Sequence, residues 1–405
     1  MKKTLRLLFV CTFVLSVLFV SCSKKQDSSS SASTSNAKDG AQVIKFGFIG
    51  PLSGDYANYG TYCRDAALLA INEFNSSRSN EAGFKVELVD IDSAGDNNKA
   101  LAAVEKLSSD KNVIGIVGPI ITSETFVVAD RCQNEGLTVM TPSASHKDIT
   151  NIGDYIFRTT ISDGLQGEVA GAYFAQKLGY KRLASLYTMN DYSKGLNDGM
   201  TLSFEANPGC KVVIAETCNI GDKDFRSQLT RIKNSNAEAI YIPNYTEEMA
   251  QILEQAAQLN IKLPFVSGDG FSNPIIYQNA GAYTDGVVYV APPQVKETSL
   301  YSDFVASYNK ATGHDPDSFA TNMFDATNIF LQSVEKIVKD GKVNRSSFRD
   351  AVASTKDYQG ASGVINFAQN GDLVANQGIY KVNGTTPVFV GEYKVLNGKI
   401  VEANR

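Results

Sequence analysis

Val113-Ile-Gly-Ile-Val117 is an unbroken apolar run that ends in Gly118-Pro-Ile-Ile-Thr122-Ser123, directly before the helical stretch 123–134. The same arrangement recurs at Leu137-Thr-Val-Met140, which ends in Thr141-Pro-Ser143-Ala-Ser145. A short strand with no polar alternation is buried on both faces, as in a parallel sheet covered by helices. Parallel neighbours need a crossover of ten or more residues, and the stretch between the two runs supplies one.

Working outward, the rhythm holds on both sides. Upstream, the spacing predicts strands at Ile44–Ile49 and Phe84–Asp90, with helices over 59–74 and 98–107. It restarts after Ser162 with helix 164–178, strand Arg182–Tyr187, helix 193–206, strand Val212–Glu216 and helix 224–234. Strand Ala239–Ile242, helix 247–259 and strands Pro264–Ser267 and Gly286–Val290 follow. Two consecutive doubly wound runs imply two similar α/β lobes. Ligands of such sheets bind beyond the carboxyl ends of the strands, so two lobes can face each other across a cleft. The last third reads as helices 299–311 and 321–338, then short strands at Ala361–Phe367, Gly378–Val382 and Pro387–Tyr393 that complete both lobes. Asn370-Gly-Asp and Asn383-Gly are hairpin turns.

The body is preceded by a targeting segment. Lys2, Lys3 and Arg6 open residues 1–21, and Leu7–Ser21 is apolar but too short for the roughly 30 Å hydrocarbon core of a bilayer. It reads as a signal peptide, with an uncleaved anchor as the alternative. Phe19-Val20-Ser21-Cys22 resembles a bacterial lipobox, in which Cys22 carries the lipid; Phe19 replaces the usual Leu, so simple cleavage near Ser21 stays open. Residues 22–41 are rich in Ser and form a polar tether. Without residues 1–21 the chain keeps 35 basic and 43 acidic residues, a net charge of −8. That charge excludes the basic field nucleic acid requires. Cys210 and Cys218 flank an apparent strand and lie too far apart to pair; free, buried thiols are expected, with Cys63–Cys132 the pairing to check.

Chemistry-bearing motifs are few. No phosphate loop, dinucleotide fingerprint or zinc-protease helix occurs. Asp90-Ile-Asp92-Ser-Ala-Gly95 begins like a calcium loop, but Ala94 and Leu101 stand where ligands are required. With two His in 405 residues, a His-rich metal site is impossible. No cofactor is implied. What remains is a set of polar groups at strand ends. Thr122 and Ser123 open a helix, whose free N–H groups suit a carboxylate. Ser123 and Ser145 are equally plain helix caps. Asp269, in Ser267-Gly-Asp-Gly-Phe271, is a carboxylate for an ammonium or an ordinary turn residue. Tyr192 and Tyr245 also follow strands and suit a cleft wall.

Further residues complete a pattern: Ile49-Gly-Pro-Leu-Ser-Gly54 with Tyr59-Gly60, Phe157-Arg-Thr-Thr160, Gly195-Leu, Lys223-Asp-Phe225, Tyr245-x-x-Glu-Met249, Gly268-Asp-Gly270, and Gly363 with Phe367 and Gly371-Asp372. In this order and spacing the chain resembles the type I periplasmic solute-binding proteins, in the branched-chain amino-acid-binding group of ABC importers. The resemblance covers nearly all of 42–395. It implies two lobes, 42–160 with 294–375 and 161–293 with 376–405, joined by crossovers near 160–163, 291–295 and 374–378. It also implies a free amino acid, or a similar small zwitterion, held between the lobes. Thr122 and Ser145 would bind its carboxylate. Ser143 would offer a backbone carbonyl to the ammonium, and Asp269 would neutralise it. Ala144 lies in the same loop, and Tyr59, Tyr192, Tyr245 and Phe319 would line the cleft. Asp269 replaces the Glu common in leucine-type binders, with a shorter reach.

The resulting expectation is a lipid-anchored binding component at the cell envelope, not an enzyme, whose partners are a permease and the membrane. A sensing lipoprotein that feeds a separate receptor is the alternative. An enzyme would need a base beside a cleft Ser or Asp, and only His146 lies near. An adhesive lipoprotein leaves the cleft pattern unexplained.

Overall fold

The structure is a computed structural model that describes residues 42–293 and 298–403. The expected export segment, Cys22 lipid site and tether lie outside the described residues, as do residues 294 and 295 of the crossover expected near 291–295.

The first sheet has β1 (Gln42–Gly50), β2 (Phe84–Asp92), β3 (Val113–Val117), β4 (Thr138–Thr141) and β5 (Ile156–Arg158), all parallel in the order β2-β1-β3-β4-β5. Between them run α1 (Ala57–Ser77), the single turn α2 (Ser79–Ala82), α3 (Asn97–Ser109) and α4 (Thr122–Glu135). All five residues of β3 are buried, as its composition requires of a central strand. Gly115 is small for a packing reason: a Cβ there would come within 2.7 Å of Phe330 and Phe348.

The second lobe begins with α5 (Asp163–Gln176), β6 (Arg182–Thr188), α6 (Asp191–Glu205), β7 (Lys211–Cys218), α7 (Arg226–Lys233) and β8 (Ala239–Tyr241). It continues with α8 (Thr246–Gln258), β9 (Phe265–Ser267), α9 (Ile275–Ala280) and β10 (Val288–Ala291). Then α10 (Ser299–Thr312), α11 (Ser318–Lys339), α12 (Arg345–Ala353) and the hairpin β11 (Tyr358–Gly360) and β12 (Gly363–Ile365) return to the first lobe. The meander β13 (Gln377–Asn383), β14 (Thr386–Leu396) and β15 (Lys399–Glu402) extends the second sheet antiparallel from β10. The second sheet therefore has eight strands, ordered β15-β14-β13-β10-β9-β8-β6-β7.

Each sheet is covered on both faces. One face of the first sheet packs Phe46 and Phe48 against α1, α11 and α12; the other packs Val113 and Ile116 against α3 and α4. Cys63 and Cys132 belong to these two different clusters, and all four described cysteines are free and buried. The second sheet sits between α5 and α6 on one face and α7, α8 and α9 on the other.

The α/β class and the main alternation match the sequence reading, with local corrections. The strand expected over 361–367 is shortened to β12, and β11 before it was not anticipated, because the chain turns at Ala361 and Ser362, whose N–H groups donate to buried Asp325. Elements with no strong apolar period were not anticipated: β5, α9, α12 and β15.

Candidate functional site

Two helices reach the space between the lobes with bare N-termini. Ile121 precedes α4 and Tyr245 precedes α8, and neither side chain caps its helix. Elsewhere Asp96, Ser162, Asn190 and Asp317 cap α3, α5, α6 and α11. The cap reading of Ser123 is thus corrected: it lies one turn position inside α4. Ser145 is likewise no cap, since its loop leads to a turn and then β5. The first-turn N–H groups of α4 are left facing the cleft edge, beside buried Thr122.

The loop after β4 is locked from below. Thr141 Oγ1 donates to Pro119 O (2.6 Å) and accepts from Ala144 N (3.0 Å), while Ser143 Oγ donates to Ile120 O (2.7 Å). Asn322 of α11 donates to Pro142 O at 3.1 Å. The fully buried Arg158 pairs with Asp372 and donates through Nη1 to the carbonyls of Ser145 (2.9 Å) and His146 (2.8 Å). These bonds present Ser145 with its carbonyl occupied and its buried Oγ without a partner among the described residues.

Across the cleft, Asp269 sits in the turn after β9. Tyr192, in the first turn of α6, donates to Asp269 Oδ1 at 2.7 Å and accepts from Gly270 N at 2.9 Å. Asp269 N donates to Gln166 Oε1 at 2.8 Å. The flanking glycines are steric requirements: a Cβ at Gly268 would press on Gln166 at 2.8 Å, and one at Gly270 on Asn244 O at 2.6 Å.

The aromatic residues meet between the lobes. Tyr245 stacks on Tyr192 at 4.8 Å and packs on Tyr59 at 5.4 Å and on Tyr56 at 4.7 Å. Phe319 lies 5.9 Å from Tyr59. Tyr59 shares a 2.6 Å hydrogen bond with Thr246 Oγ1 and accepts from Thr246 N at 3.1 Å. Asn273 donates to Asp317 at 3.1 Å, and the hydroxyls of Ser272 and Ser318 are 3.0 Å apart. The lobes are therefore in direct contact, a closed arrangement.

Five carboxyls are buried around this contact. Burial pushes Glu124, Glu248 and Asp317 up to about 7. The Ser93 hydroxyl and Gly95 N–H oppose the rise at Glu124, and Lys223 opposes it at Glu248. Burial also raises Asp163 and Asp269, which lie close enough to repel one another. The sequence reading named Glu248 only within Tyr245-x-x-Glu-Met249, without a role, and passed over Glu124, Asp163 and Asp317, because a charged residue at a helix start reads as solvated or as a cap. His146 is tied through Nδ1 to Asp148 N at 3.3 Å. Among the described residues no group of three or more His, Cys, Asp or Glu is placed to hold a metal.

Comparison with known proteins gives a family model, described as periplasmic binding protein, that matches residues 43–386. The leucine-, isoleucine-, valine-, threonine- and alanine-binding protein of Pseudomonas aeruginosa is 30% identical over 335 residues, 82% of this chain and 88% of that one. The Leu/Ile/Val-binding protein of Escherichia coli is 28% identical over 277 residues, 68% and 74% of the two chains. Among solved structures, the branched-chain amino acid transporter substrate binding protein LivJ of Streptococcus pneumoniae, in complex with isoleucine, superposes with a TM-score of 0.78 at 26% identity. It covers 89% of this chain and 100% of its own.

Proposed function

Because the chain belongs to the periplasmic binding protein family, whose members bind solutes and are not enzymes, we propose that it captures a free amino acid with a branched or small aliphatic side chain. The cleft edges that face each other carry the reading: on one side the bare start of α4 and the unpartnered Ser145 Oγ, on the other Asp269, oriented by Tyr192. A zwitterion matches these edges in charge. Its carboxylate meets the N–H groups and hydroxyls of Thr122 and Ser145, and its ammonium meets Asp269 and the Ser143 carbonyl. Its side chain lies among Tyr59, Tyr192, Tyr245 and Phe319, with Ile120 and Ile121 adding apolar wall. Relatives whose names record leucine, isoleucine and valine binding support this side-chain class.

The lobes, 42–160 with 294–375 and 161–293 with 376–405, act as two bodies joined by the three crossovers. A ligand that touches both favours the closed form by its differential affinity for it. The closed form is delivered to the permease of an ABC importer, and a lipid on Cys22 keeps the protein at the envelope surface.

Isothermal titration of the purified protein with free amino acids tests this. One-to-one binding is expected, lost in Asp269→Ala. Unchanged affinity in that variant refutes the ammonium role, and silence from every amino acid refutes the ligand class. Incorporation of labelled palmitate, abolished by Cys22→Ala, tests the anchor.

A further inference from the structure

Tyr56 is the residue just before α1 in the first lobe, and its side chain does not cap that helix. Its ring reaches across the cleft instead. It lies against Gly95, where a Cβ would come within 3.0 Å of it, and it packs on Tyr245 at 4.7 Å. Its hydroxyl donates to Glu248 Oε1 at 3.4 Å. Glu248 stands in the first turn of α8, in the second lobe, and is 4% exposed. Beside this contact, Lys223 of the second lobe pairs with Asp55 of the first at 3.5 Å. Two consecutive residues of one lobe, Asp55 and Tyr56, therefore grip the other.

Glu248 is poorly compensated where it lies. Its Oε2 has no hydrogen-bond partner on any other described residue, and the bond from Tyr56 to Oε1 is long. Lys223 favours the ionised form, but it is half exposed and shared with Asp55, whose own charge opposes it. The other groups that face Glu248 are Tyr245 and Cys218 of its own lobe and Tyr59 of the first, all held neutral by burial. Glu124, which lies near the same Tyr245 ring from the first lobe, adds a like charge and no counter-charge. A carboxyl shut in among neutral groups favours its protonated form, and one that faces water does not. Opening the lobes withdraws Tyr56 and lets water reach Glu248.

We propose that Glu248 is a proton-operated latch on the lobe contact: closure takes up a proton there, so that capture is favoured in acid and release as pH rises. This rests on the hinge closure proposed above and not on which ligand is held.

With the lobes closed, burial holds the carboxyl at about 7, against 4.5 for the same group in water. The closed form thus keeps its full advantage below about pH 4.5, loses it as pH rises, and has none above about pH 7. Between pH 5.5 and 7.5 the latch lowers affinity for a ligand of the closed form by about 20-fold. Gln keeps the shape of the protonated acid at every pH and removes this dependence. The acid pair Asp163 and Asp269 stays the same in both proteins, so their difference isolates Glu248.

Titration calorimetry of wild type and Glu248→Gln with L-leucine, L-isoleucine and L-alanine at pH 5.5 and 7.5 is the test. The advantage of Glu248→Gln over wild type should grow about 20-fold between the two pH values. Small-angle scattering of the ligand-free chain reads the lobes without any amino acid: wild type should expand from pH 5.5 to 7.5, and Glu248→Gln should not. Two proteins that respond to pH alike in both measurements overturn the inference. If none of the three amino acids binds, the ligand class falls, while the scattering comparison still decides for or against the latch.

Discussion

Replacing Glu124 by Gln should stabilise the protein, and only at high pH. Glu124 lies in the first turn of α4 and is 0% exposed, with only the Ser93 hydroxyl and the Gly95 N–H beside its carboxyl to favour the ionised form. Burial raises it from 4.5 to about 7. The gap corresponds to about 3 kcal/mol of difference between the protonated and ionised forms. A carboxyl raised in the folded state holds its proton more tightly than it does in the unfolded chain. Its contribution is therefore complete below about pH 4.5, shrinks as pH rises, and has gone once pH passes about 7. Gln mimics the protonated acid at every pH. The variant should lie within about 1 kcal/mol of wild type at pH 5 and be about 3 kcal/mol more stable at pH 8. With an unfolding entropy near 2.1 cal/mol/K per residue, a body of about 360 residues gains about 4 °C in Tm at pH 8. Calorimetric melts at both pH values read this directly. A shift equal at pH 5 and pH 8, or a lower Tm at pH 8, would refute the assignment of a buried acid whose burial outweighs its compensation.

Two further substitutions probe the contact between the lobes and its support. Tyr59→Phe strands the buried Thr246 N–H and hydroxyl, at about 1–3 kcal/mol. Ligand affinity should fall about tenfold with stoichiometry unchanged, and undiminished affinity by titration calorimetry would mean that this bond does not help closure. Arg158→Met leaves Asp372 and the His146 carbonyl without their donor and takes from Ser145 O one of its two; the loss should be about 3–5 kcal/mol. Urea unfolding followed by circular dichroism should show the midpoint fall, and an unmoved midpoint counts against the clamp.

The strands that read clearly from the sequence are those whose burial is two-sided. Val113–Val117 is apolar at every position, and its assignment needs only the physics of a covered parallel sheet. β5 is as central to the site, but it is three residues long and ends in Arg158, a guanidinium that only its tertiary partners make tolerable. α12 has apolar side chains at just Phe348, Ala351 and Val352 among its buried positions, too few to show a period. Among the candidate site residues, the hydroxyls and Asp269 drew notice because glycines and strand ends mark them. Asp163 follows a cap residue and Glu124 falls in a first turn, so each looks like an acid placed for a helix dipole. That these acids lose their water in the folded protein is a fact of three-dimensional packing, written in no local pattern.

The interleaving of the chain between the two sheets governs the order in which the molecule can be finished. Phe46 belongs to the first strand of the body, yet it packs on Phe330 at 5.4 Å and on Phe348 at 6.3 Å. Those rings emerge from synthesis only after the whole central lobe has been made. Until then one face of the first sheet is an open apolar surface, and its non-local contacts must wait for a very long loop to close. A nascent chain cut short before α11 is thus a sticky intermediate rather than a small folded domain. The same delay favours a chain that is held extended until its last third arrives, which is the state in which a polypeptide can be threaded through a narrow channel.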